Sequence, residues 1–216
     1  NVLINKSLTI IGQAMPTLDG ENKYEIFTIN AKNVIIKGMQ FINVGKSATQ
    51  DFAAIKASGA DGLKVVDNII VDGYFGIHLS NTLGAQIIGN KISRTKTGTE
   101  NETSVGNAIH LWKCNHALIE NNQVSNYRDG IYFEFVTNSV IKKNHSEKNI
   151  RYGLHFMFSN EDQYIDNEFV NNGAGVAVMY THSVTMVGNL FAHNWGASAY
   201  GLLLKDIRDS KVCNNR

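Results

Sequence analysis

Three side chains in this 216-residue sequence have the types and spacing to hold a soft metal ion: His155, Met157 and Met179. His155 and Met157 are alternate residues, which in a strand share one face at a separation of about 6.5–7 Å. Met179 follows Met157 by 22 residues, the interval at which much of the chain repeats. One imidazole beside two thioethers suits Cu(I) better than zinc, calcium or magnesium, because thioether sulfur is a soft donor. His110, Tyr132 and Glu134 fall on the same strip as outer members of the set. An exposed site suits a relay, since a protein that hands copper on cannot bury it in a closed four-ligand cage. Thioethers stay unprotonated across physiological pH, which leaves the imidazole alone to make binding pH-dependent. The competing reading is that Met157 and Met179 form an adhesive patch for a protein partner and touch no metal.

What positions these residues is an internal repeat. The segments Gly76-Ile77-His78-Leu79, Ala108-Ile109-His110-Leu111, Gly130-Ile131-Tyr132-Phe133, Gly153-Leu154-His155-Phe156, Gly175-Val176-Ala177-Val178 and Gly201-Leu202-Leu203-Leu204 align on their apolar pair, with a weaker copy at Ala54-Ile55-Lys56-Ala57. Their starts are 22, 32, 22, 23, 22 and 26 residues apart, the 32 being one period plus an insertion near Lys96–Val105. A step of 13 residues from the first apolar position reaches Asn68, Asn90, Asn122, Asn144, Asn167, Asn189 and Asn215. Asn fills 26 of 216 positions, so seven hits in seven steps are not an effect of composition.

Each copy alternates apolar and polar residues in short runs, the signature of strands, and no stretch of helical length shows a 3.6-residue period. About 22 residues with three short strands and no helix make one coil of a parallel β-helix. The fold expected is therefore all-β, a right-handed parallel β-helix of nine to ten coils spanning 1–216 as one domain, read as an excerpt of a longer chain. Handedness is carried from known coils of this type. The Asn column is expected to stack at about 4.8 Å per coil and to chain its amides into a ladder. The Gly column is expected to supply permissive backbone at another corner. Phe135, Phe158 and Tyr180 share a column and are expected to stack inside. The insertion at Lys96–Val105 is expected to bulge outward without breaking the stack.

Composition excludes several classes. With 20 basic and 19 acidic residues the net charge is +1, so there is no electrostatic case for nucleic acid or an anionic membrane. No apolar run approaches 18 residues. Cys114 and Cys213 are the only cysteines and fall four coils apart, about 19 Å at the coil spacing, too far for a bridge. His116, His145, His182 and His193 fall at turns or scattered outward positions and read as solvated. The rival chemistry is carbohydrate binding or cleavage, which β-helices commonly perform in a groove along the coils. Cleavage needs paired carboxylates. Glu134 is the one carboxylate on the strip, Asp129 sits at the preceding corner, and no pair in register emerges. A Tyr, Trp and His strip leaves carbohydrate binding open.

Five motifs in order then resemble a known family. Asn107-Ala-Ile-His-Leu-Trp112, Arg128-Asp-Gly-Ile-Tyr-Phe-Glu-Phe135, Arg151-Tyr-Gly-Leu-His-Phe-Met-Phe-Ser159, Gly173-Ala-Gly-Val-Ala-Val-Met-Tyr180 and Trp195-Gly-Ala-Ser-Ala-Tyr-Gly-Leu-Leu-Leu-Lys-Asp-Ile207 resemble the central coils of the NosD family. The resemblance covers about residues 106–207. It implies a periplasmic accessory factor and not an enzyme. It further implies work with an ABC transporter made of an ATPase and a membrane subunit, and with a copper-chaperone lipoprotein. Copper, held transiently as Cu(I), would serve assembly of the copper–sulfide centre of nitrous oxide reductase.

Overall fold

The computed structural model describes residues 1–47, 49–95, 105–197 and 199–216. Every regular element among them is a β-strand, as the alternating pattern requires. The chain winds so that each coil gives one short strand to each of three parallel sheets, with nine, nine and eight strands. The first sheet runs from Val2–Ile4 to Leu202–Arg208, the second from Thr9–Ile11 to Lys211–Cys213, and the third from Thr17–Asp19 to Leu190–Ala192. Each strand pairs in parallel with its counterpart one coil away, which is a parallel β-helix of about nine coils. Inward residues such as Phe41, Phe133, Phe156, Tyr164 and Phe169 are fully buried and fill the coil interior.

The expected Asn ladder is present along its whole length. Nδ2 of Asn68 donates to Oδ1 of Asn90 at 3.1 Å, and the same bond links Asn90 to Asn122 at 3.0 Å and Asn122 to Asn144 at 2.9 Å. Asn144, Asn167, Asn189 and Asn215 continue it at 2.9 Å per step. Each Oδ1 also accepts the backbone N–H of the Asn below it, as Asn144 does from Asn122 at 3.0 Å. The ladder thus satisfies buried backbone groups that a tight corner would otherwise strand. A second, shorter ladder was not foreseen. Asn149 accepts from the Tyr127 N–H at 3.1 Å and donates to Asn172 at 2.8 Å, and Asn172 donates its N–H to Asn194 at 3.2 Å.

The glycine column works differently from the expectation. Gly76, Gly130, Gly153 and Gly175 are not among the residues with positive φ. The column is needed for close approach: a Cβ on Gly153 would lie 2.7 Å from Asn172 Nδ2 and 2.9 Å from Gly175 O. Left-handed backbone falls instead on turn residues such as Asn33, Asn81, Asn121, Asn138 and Asp166, where short polar side chains tolerate it. Of the insertion at Lys96–Val105 only Val105, which is buried, lies among the described residues. The ladder bond from Asn90 to Asn122 shows the stack unbroken across it.

Candidate functional site

Consecutive strands of the first sheet bring the six candidate residues together. Strands Ile109–Trp112, Asp129–Glu134, Tyr152–Met157 and Ala174–His182 pair side by side. Their register sets His110 beside Tyr132, Tyr132 beside His155, and His155 beside Ala177. Two residues on, Trp112, Glu134, Met157, Met179 and Lys205 form a parallel row. Met157 and Met179 are therefore direct neighbours, half-exposed, with His155 on the same strand face as Met157.

The structure corrects the exposure expected of His155. Its side chain retains only 5% of its accessible surface. The Tyr132 and Tyr152 rings lie 5.0 and 4.9 Å from the imidazole, and the Arg151 guanidinium reaches over it, with Nη2 3.3 Å from Nδ1. Arg151 at the same time makes a fork to Asp129, at 2.9 Å from Nε and 2.6 Å from Nη2. Asp129 is fully buried. Burial acts to raise its carboxyl, but contacts with His155 and Arg151 hold it below the usual carboxylate range. Because guanidinium only donates, His155 Nδ1 accepts and the neutral ring carries its proton on Nε2, a buried atom with no hydrogen-bond partner. This Asp129–Arg151–His155 cluster was missed in the sequence. A step of one 22-residue period from Asp129 lands on Arg151 and was the available signal.

Along the column, His78, His110, Tyr132 and His155 follow one another with ring centroids 4.7, 4.8 and 5.0 Å apart. Burial pushes the His110 imidazole down to about 3, with help from His78 and Arg128. Burial also lowers His78 and pushes the Tyr132 phenol up to about 12, the charges of Glu134 and Asp129 adding to it. His78, His110 and Tyr132 are thus uncharged near neutral pH. Among the described residues no three His, Cys, Asp or Glu side chains converge as a metal cage, so a metal on this strip needs the thioethers.

Phe135, Phe158 and Tyr180 stack as expected but on the outside. Ring centroids are 5.3 and 5.2 Å apart and nearly parallel, at 11° and 12°, and all three side chains are exposed. Each has φ near +50°, at 55°, 50° and 55°. That left-handed residue breaks the in–out alternation, so the side chain that should point inward turns out. Lys205 Nζ lies 5.2 Å from the Tyr180 ring and closes that end of the stack. Of the histidines expected at solvated positions, His145 is half-buried and sits 2.9 Å from Glu168, while His116 and His193 are exposed. Both cysteines are free.

A family model described as periplasmic copper-binding protein, NosD, matches residues 94–216, more than half of the sequence and all six candidate residues. The chain belongs to the NosD family. It is 30% identical over 131 residues to a protein of Pseudomonas aeruginosa named probable ABC transporter binding protein NosD, a match covering 60% of this chain and 30% of that protein. A protein of the same name from Stutzerimonas stutzeri is 31% identical over 103 residues, covering 47% of this chain and 23% of that protein. These matches span less than a third of the curated NosD relatives. Among solved structures, the periplasmic alginate epimerase AlgG superposes with a TM-score of 0.55 at 10% identity, over 98% of this chain and 76% of that one. DFA-IIIase from Arthrobacter chlorophenolicus gives 0.58 at 16% identity, over 97% and 67%. The Dettilon tailspike protein gives 0.61 at 13% identity, over 99% and 54%. Those likenesses are of fold alone. NosD membership is what ties the outward His and Met strip to a periplasmic, copper-binding setting.

Proposed function

We propose that this chain carries copper, as Cu(I), within a periplasmic accessory factor that serves assembly of the copper–sulfide centre of nitrous oxide reductase. The factor would work with the ATPase and membrane subunits of an ABC transporter and take its cargo from a copper-chaperone lipoprotein. It would be a binding protein and not an enzyme. The observation that carries the reading is the register pairing of Met157 with Met179 beside His155 on a half-exposed row. These donors fit the cargo: two soft thioethers take Cu(I), and the buried His155 Nε2 lacks any partner in the protein. For Nε2 to ligate, the ring proton must move to Nδ1, which lies 3.9 Å from the Asp129 carboxylate. A carboxylate behind a ligating imidazole is the usual device for orienting it. Glu134, next to Met157 in the row, and Tyr132 and His110 beyond it would border the ion.

The carbohydrate reading loses support from the same geometry. Sugars stack on open ring faces, but the Phe135, Phe158 and Tyr180 rings face one another. Asp129, the carboxylate nearest the strip, is locked to Arg151.

Replacing Met157 and Met179 together by Leu keeps the apolar surface and removes the sulfur. The double variant is expected to bind Cu(I) at least about 10–100-fold more weakly in a competition titration under reducing conditions, with unchanged thermal stability. Parent-like Cu(I) affinity together with parent-like support of reductase maturation would show that these residues do not carry copper.

A further inference from the structure

Below the methionine row, one pair of side chains has no role in the proposed site. His78 and His110 are register partners on adjacent coils, with ring centroids 4.7 Å apart. His78 is only 9% exposed, and its Nδ1 is shut off from solvent with no hydrogen-bond partner. Nδ1 of His110 faces the side-chain amide of Asn107 at 3.4 Å. The orientation of that amide is set by Arg128, whose Nη2 donates to Asn107 Oδ1 at 3.2 Å. Asn107 therefore presents its NH2 to the imidazole, and His110 Nδ1 offers a lone pair. The long contact is easily given up. Phe75 walls the pair on one side, its ring 5.2 Å from His78 and 5.4 Å from His110.

Two imidazole lone pairs on neighbouring coils, beside an aromatic wall, define a narrow class of ligand. Among the described residues no third His, Cys, Asp or Glu joins them in a metal-holding group. Zinc wants four ligands, and calcium and magnesium want six or more oxygens. A monovalent d10 ion accepts two nitrogens in a line. We propose that His78 and His110 form a second soft-ion site, taking Cu(I) or Ag(I) between their Nδ1 atoms. It lies two coils, about 10 Å, from His155 along the column, so it holds a separate ion. It does not depend on the methionines binding copper. Each ring keeps its Nε2 proton on binding, and burial, which lowers both imidazoles, keeps protons from competing.

The test uses Ag(I), which has the same d10 configuration and no redox chemistry, titrated into the whole chain. In the parent, the Nδ1 resonances of His78 and His110 in 15N NMR are expected to shift with the first equivalents of Ag(I). This readout needs no variant to fold. Replacing His78 and His110 together by Phe keeps a ring column and is expected to remove one equivalent of bound Ag(I). The Met157→Leu, Met179→Leu double variant should keep the His78 and His110 shifts. Unmoved Nδ1 resonances in the parent, or full stoichiometry in the Phe variant, overturns the site. An unchanged stoichiometry in the methionine variant would instead count against the proposed function and leave this pair standing.

Discussion

Replacing Asn144 by Leu is expected to destabilise the protein by about 3–5 kcal/mol. Asn144 is 1% exposed, at the middle of the ladder. Its Oδ1 accepts the Asn122 N–H at 3.0 Å and Asn122 Nδ2 at 2.9 Å. Its Nδ2 donates to Ile119 O at 2.9 Å and to Asn167 Oδ1 at 2.9 Å. Leu has nearly the same volume, so the coil keeps its shape while these groups lose their partner. The Asn122 N–H and the Ile119 carbonyl are then buried unpaired, at about 1–3 kcal/mol each, and the Asn122 amide loses an acceptor. Asn167 Oδ1 keeps the backbone N–H of Asn144. Asn121→Gly is the control: Asn121 is exposed, has φ of 54°, and stands outside the ladder. Urea unfolding followed by circular dichroism compares the two. A loss for Asn144→Leu no larger than that for Asn121→Gly would mean that the ladder does not carry stability.

A second large effect should come from Asp162 and should depend on pH. Asp162 is fully buried, accepting the Ser139 N–H at 2.8 Å and lying 3.4 Å from the Tyr164 hydroxyl. Burial pushes its carboxyl up to about 8, against the pull of those two donors. In the unfolded chain it titrates near 3.9. Between these values the folded protein holds the proton more tightly than the unfolded chain does. Stability is therefore full below about pH 4 and falls as pH rises to about 8, at up to about 1.4 kcal/mol per unit and a few kcal/mol in all. Asn keeps the acceptor for Ser139 and carries no charge. Asp162→Asn is expected to match the parent near pH 4 and to exceed it by a margin that grows to pH 8. Parallel stability curves for parent and variant across pH 4–8 would show that Asp162 is not held protonated by the fold.

In a solenoid, residues one period apart in sequence are neighbours in space, and this makes much of the molecule legible before folding is considered. The Asn column, the Met157–Met179 pairing and the His110–Tyr132–His155 column all follow from intervals of 22 or 23 residues. What the intervals do not contain is how far each side chain is covered, and which way it turns at a corner. Phe135, Phe158 and Tyr180 point outward because each adopts a left-handed φ, which resets the alternation that assigns strand residues to faces. His155 is outward by parity yet buried, because Arg151 folds back from the corner to Asp129 and two tyrosine rings flank the imidazole. The repeat determined which residues meet. Rotamers at the corners, set by pairing a buried carboxylate and satisfying buried amides, decided which of them water can reach, and so which donors an incoming ion would find open.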